Sequence, residues 1–135
     1  MTWQDLNEVR TLRKRISIEQ KNLKALRDSA TSINSNVFGA DNIKSQNHKS
    51  RVEILTALIV DTEKEIEILQ KRLVDAVPTL TEKLQATLSD RTEQTLMIYR
   101  YVACKFFRDI GFEMGYSENW VYWKHRQILK KIRVD

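Results

Sequence analysis

Residues 106–132, FFRDIGFEMGYSENWVYWKHRQILKKI, decide how the rest of the chain is read. The stretch reads as two short helices joined by a tight turn, the second ending in a basic run. Ile110, Met114, Tyr116 and Val121 fall where two such helices must pack on each other. Gly111 lies midway along the first helix, where a side chain would hold the second too far away. Gly115 falls at the turn, where a backbone with φ > 0 costs glycine nothing and other residues pay sterically. Ser117 follows as an N-cap candidate whose hydroxyl can accept from an orphan amide. This spacing is the helix-turn-helix pattern, in which the second helix enters a DNA major groove. An ordinary αα-hairpin uses the same punctuation, so spacing alone leaves both readings open. Lys124 departs from the pattern by standing where a third apolar contact is usual. The core can instead continue through His125, Ile128, Leu129 and Ile132, with Lys124 snorkelling.

Working outward, the 135 residues make one domain or two very small ones. The charged fraction, 30%, is high, and the apolar fraction of 41% is slightly low for a compact globule. Three glycines and one proline disfavour a turn-rich all-β fold. The net charge of +5 and pI near 9.4 suit an anionic partner without demanding one. Near the C-terminus Lys124, Arg126, Lys130, Lys131 and Arg133 face only Asp135. That cluster reads either as a phosphate-facing edge or as a solvated face complementing the helix dipole. The single cysteine, Cys104, excludes an intrachain disulfide and a multi-cysteine metal site. With a polar N-terminus and no apolar run near the ~20 residues that span a bilayer, a soluble, cytoplasmic protein is expected.

Upstream, residues 3–29 read as a helix. Val9, Ile16 and Leu23 recur every seven residues, Leu12 and Leu26 follow three later, Leu6 widens the stripe and Glu19 interrupts it. Residues 30–48 are rich in Ser and Asn and lack a period, which predicts a flexible connector with Val37 and Phe38 as light pins and His48 as a solvated loop residue. Residues 49–77 carry the cleanest pattern: Val52, Leu55, Ile59, Thr62, Ile66, Leu69, Leu73 and Ala76 fill the a and d positions of a heptad repeat. This helix, on the order of 40 Å long, needs a partner. The first helix can fold back on it as an antiparallel hairpin, and a second copy of the chain can meet the same seam; both are expected together. Pro78 is expected to break or kink the helix, with Thr79 and Thr81 capping a restart that carries Leu84 and Leu88. Ser89 and Asp90 open the next helix, with Glu93 in a capping-box-like position. Leu96, Met97, Tyr99, Tyr101 and Val102 give that helix a wide apolar surface. The fold class expected is therefore all-α, a helical hairpin or coiled coil over 1–78 followed by a helix-turn-helix domain over 79–135.

Residues 88–132 resemble region 4 of bacterial sigma-70-type factors. The matching features are Arg100-Tyr101, the Phe107–Ile110 step, Met114-Gly115-Tyr116-Ser117, Val121, and the ending Ile128-Leu129-Lys130-Lys131-Ile132. Trp123 stands where sigma factors often carry Arg, and Ile128 where they carry a small residue. No counterpart of the domain that grips the −10 promoter element is visible, so the resemblance implies a region-4-like DNA reader and not a complete sigma factor. The whole chain is similar to small phage and prophage proteins of Gram-positive bacteria regarded as transcriptional regulators, akin to the RinA and ArpU late-gene activators. The resemblance implies double-stranded DNA as partner, with RNA polymerase as a further contact.

With Ser117 at the N-cap, Glu118, Asn119, Tyr122 and Trp123 are the candidates for base contact. Asn119 can bond adenine N6 and N7 together, and Glu118 can accept from cytosine N4. Trp120 and Trp123 can each pack on the scaffold helix instead, or touch thymine methyls or a protein. Ser117, Lys124, Arg126, Lys130 and Lys131 are the candidates for phosphate contact, which gives affinity without sequence information. Nothing points to catalysis, a cofactor, a metal or a small-molecule substrate: His48 and His125 lie far apart, no glycine-rich phosphate loop occurs, and Glu63, Glu65 and Glu67 read as solvating charge. A homodimer is expected from the 52–76 seam. The competing reading is a protein–protein interaction module, binding RNA polymerase or a regulator, whose working part is the coiled coil.

Overall fold

The computed structural model describes the backbone of residues 1–35 and 42–134, and side chains outside 33–49. Among the described residues the chain is all-helical, with no strand: α1 is Trp3–Ser35, α2 Asn42–Thr87, α3 Arg91–Met97, α4 Phe107–Met114 and α5 Glu118–Ile132. No described helix is long and apolar enough to cross a membrane. Two compact units form, one from Met1–Arg13 with Arg72–Asp135 and the other from Lys14–Lys71. They do not follow the 1–78 and 79–135 division read from the sequence, because the first turns of α1 cluster with the C-terminal helices.

In the unit over 14–71, Ile16, Thr62, Ile66 and Leu69 are buried. Arg15 reaches Glu65 at 3.2 Å and Arg27 reaches Glu63 at 3.0 Å, so α1 and α2 face each other there. Both pairs are exposed, and such pairs contribute little stability. The Thr62 hydroxyl donates to the Leu58 carbonyl at 2.8 Å, which explains how a polar residue occupies a core position of the seam. Val52, Leu55 and Ile59 are only half-buried, and Ile54, Leu58, Val60 and Ile68 are exposed.

The expected connector over 30–48 is corrected at both ends: α1 runs to Ser35 and α2 starts at Asn42. Residues 30–35 contain no Gly or Pro to stop a helix, and Thr31 satisfies its hydroxyl on the Arg27 carbonyl at 3.0 Å. His48 lies within α2, not in a loop; its side chain, with Val37 and Phe38, lies outside the described residues.

In the other unit, α1 opens with a reciprocal cap: Asp5 Oδ2 accepts from the Thr2 amide and Thr2 Oγ1 from the Asp5 amide, each at 3.1 Å. The expectation at Pro78 is also corrected, since α2 continues through it. Pro78 sits on the exposed side, where water can take the freed carbonyl one turn back. Leu80 and Leu84 beyond it are buried at 3% and 0% exposure, and burying each is worth about 1.5–3 kcal/mol, enough together to offset a proline penalty of about 3 kcal/mol. Thr79 and Thr81 cap nothing; their hydroxyls donate to the Asp75 and Val77 carbonyls at 2.8 and 2.7 Å.

The core joins Leu6 and Val9 of α1 to Leu80, Leu84 and Leu88, then to Leu96, Met97, Tyr101, Ile110, Val121 and Ile128. Asp90 caps α3, its Oδ1 accepting from the Thr92 amide at 2.9 Å. Glu93 does not close the expected capping box. Its carboxylate is buried and accepts from Lys131 Nζ at 2.9 Å. After Met97 the helix widens into a π-helical turn over Ile98–Val102, closed by the Ala103 amide on the Ile98 carbonyl at 3.0 Å. Cys104 then takes φ 58° and redirects the chain into α4.

Candidate functional site

The geometry of α4, the turn and α5 follows from three residues. A Cβ on Gly111 would lie 2.7 Å from the Tyr116 carbonyl oxygen, closer than real side chains come. Hydrogen here is therefore what lets α5 start so near α4. Gly115 is left-handed at φ 79°, ψ 28°, and its amide donates to the Gly111 carbonyl. Ser117 is extended, and its hydroxyl accepts from the Trp120 amide at 3.1 Å. Ile110 and Val121 are fully buried between the helices, as expected. Met114 is half-buried. Tyr116 is not in this core: it is 43% exposed and stacks on Trp120, with centroids 3.8 Å apart and planes within 12°. An aromatic stack on the turn's outer side satisfies its large ring without widening the helix pair.

On α5, Val121 and Ile128 point inward and His125 is half-buried. His125 Nε2 shares a 2.7 Å hydrogen bond with the Tyr101 hydroxyl, and its ring meets Phe107 edge-on at 4.9 Å. Burial, reinforced by the Arg100 charge, lowers the His125 pKa to about 4, and burial raises that of Tyr101. At neutral pH the pair is uncharged and holds α5 to the π-helical turn.

Of the candidate base contacts, Glu118, Asn119, Tyr122 and Trp123 are all exposed on the first turns of α5. Tyr122 also packs on Phe107, centroids 4.5 Å apart. Of the candidate phosphate contacts, Arg126 and Lys130 are exposed, and Lys124 is half-buried with Nζ 5.9 Å from the Trp123 ring centroid. Ser117 uses its hydroxyl as the cap. Lys131 is committed to Glu93, tying the end of α5 to α3, which explains how a buried glutamate is tolerated.

Sequence reasoning missed what stands beside this surface. The Arg100 guanidinium lies 4.1 Å over the Phe107 ring, and its Nη1 donates to the Lys105 carbonyl at 3.0 Å. Its Nε is buried without a partner. Arg100, Phe106, Phe107, Arg108, Glu118 and Tyr122 line an open concavity of about 360 Å³. Arg100 entered the sequence reading only as part of a resemblance, and nothing in the local pattern marks it as the link between α4 and the π-helical turn. Among the described residues no group of His, Cys, Asp and Glu could hold a metal ion. Comparison with protein-family models, with curated proteins and with solved structures finds no match.

Proposed function

We propose that this chain is a DNA-binding transcriptional regulator of the phage and prophage type. In this reading its N-terminal helices form an antiparallel hairpin, and α4 and α5 form a sigma region-4-like helix-turn-helix with α5 in the major groove. The observation that carries the reading is the division of α5 into two faces. Val121, His125 and Ile128 are held inward, while Glu118, Asn119, Tyr122 and Trp123 are exposed on its first turns, the part of a recognition helix that reaches base edges. Arg126 and Lys130 flank that face and can meet phosphates. The apolar residues left exposed on α2, Ile54, Leu58 and Ile68, support a homodimer or an RNA polymerase contact through the N-terminal helices. The working compartment is then the bacterial host's cytoplasm.

The test is duplex binding by Asn119→Ala, which should change preference at one base pair by about 1–3 kcal/mol. A second reading, a protein-binding module without sequence-specific DNA contact, is favoured by Phe112 and Phe106, which are 89% and 72% exposed. Loss of DNA binding on changing α5, with Phe112→Ser silent, supports the first reading over the second.

A further inference from the structure

We propose that Arg10 and Arg13, which α1 brings to the Arg100 side of the C-terminal helices, hold backbone phosphates of the same DNA duplex that α5 reads. This rests on the DNA-reading proposal and extends its surface to a helix outside the helix-turn-helix.

Leu6 and Val9 of α1 are fully buried in one core with Met97, Tyr101 and Val121. That packing fixes the rotation of α1, and Arg10 and Arg13, three residues apart, lie on neighbouring positions of one side. A chain of contacts leads from the reading helix to Arg100. Tyr122 packs on Phe107 at 4.5 Å, and Arg100 lies over Phe107 at 4.1 Å. The Arg10 charge bears on Arg100 and on Tyr101, and Arg10, Arg13 and Arg100 all bear on the Cys104 thiol.

Arg10, Arg13 and Arg100 make no ion pair among the described residues. Arg15, the next arginine on α1, is by contrast bound to Glu65. Gathering like charges without a carboxylate costs stability in the free protein. An anion laid across them removes that cost, and a DNA duplex held by α5 next to Tyr122 would carry a continuous row of phosphates toward the Arg100 side.

The experiment is salt-dependent binding of the full chain to a short mixed-sequence duplex, comparing wild type with the Arg10→Gln/Arg13→Gln double variant. Removing two phosphate contacts should flatten the log–log salt slope by about 1.8, so that between about 50 and about 200 mM salt the variant loses roughly twelvefold less affinity than wild type. Its thermal midpoint should stay level or rise, since the substitution relieves repulsion and touches no core residue. A slope equal to wild type overturns the proposal. If Asn119→Ala and Arg126→Ala are silent while the double variant flattens the slope, the arginine site stands and the α5 reading falls. If wild type shows no salt-dependent duplex binding, both fall.

Discussion

Adding one methyl group at Gly111 separates a steric requirement from a conformational one. Its new Cβ would meet the Tyr116 carbonyl oxygen at 2.7 Å, with the Glu118 nitrogen and Ser117 carbonyl carbon at 3.4 Å. All three are backbone atoms, so no rotamer change relieves the overlap, and α5 must shift as a body. Alanine is worth about 1 kcal/mol more than glycine in a helix interior, whereas forcing atoms into a packed contact costs about 1–3 kcal/mol, occasionally more. An unyielding backbone neighbour places the cost in the upper part of that range, so Gly111→Ala should lose about 1–2 kcal/mol net, and Gly111→Leu more. Gly115 is the control. Its φ is 79°, but a Cβ added there would have nothing within 4 Å, so Gly115→Ala should cost about 1–2 kcal/mol from backbone strain alone. Gly115→Asn should recover most of that, because asparagine tolerates the left-handed region. Urea titration followed by tryptophan fluorescence suits the measurement, since Trp3, Trp120 and Trp123 all belong to the unit containing these glycines. Gly111→Ala as stable as wild type, or Gly115→Asn as damaging as Gly111→Ala, would refute this packing of α5 on α4.

Lys131→Ala strands the buried Glu93 carboxylate and should cost about 1–3 kcal/mol, below the usual range for a fully buried pair because Lys131 is itself half-exposed; a double-mutant cycle with Glu93→Gln should show the coupling, and additive effects would deny the tether. The His125 pKa falls from its ordinary 6.5 to about 4 on folding. The unfolded chain therefore binds more protons between those values, and stability is full above pH 6.5 and declines as pH falls toward 4. Discounted for a partly wetted ring, the loss is about 1–2 kcal/mol, and His125→Phe should abolish that part of the pH dependence; an unchanged profile in the variant sinks the assignment. Ile66, 8% exposed, is part of the fold, while Leu58 at 45% is free. Ile66→Asp should thus reduce helicity, whereas Leu58→Asp should leave helicity intact and lower the mass seen by sedimentation equilibrium. A wild-type monomer at micromolar concentration removes the dimer from the proposal.

The elements legible in the sequence were those set by local chemistry. Gly111, Gly115 and Ser117 each carry a requirement that their own backbone position explains, and the buried Ile110 and Val121 follow from spacing. What stayed hidden depends on partners distant in sequence. Pro78 reads as a helix break until Leu80 and Leu84 are seen to be buried. Glu93 reads as a capping residue because Lys131, 38 positions on, is invisible to a local pattern. The clustering of residues 1–13 with the C-terminal helices has no signature within α1, whose heptad stripe predicts only a partner and not which one.

Whether α5 reads duplex DNA is tested most directly by the affinity of wild type, Asn119→Ala and Arg126→Ala for duplexes of varied sequence, measured across a salt series. If it does, wild-type affinity falls steeply with salt, Asn119→Ala loses discrimination at one base pair, and Arg126→Ala weakens every duplex alike with a salt slope lower by about one. Binding and salt dependence identical in all three proteins would contradict it.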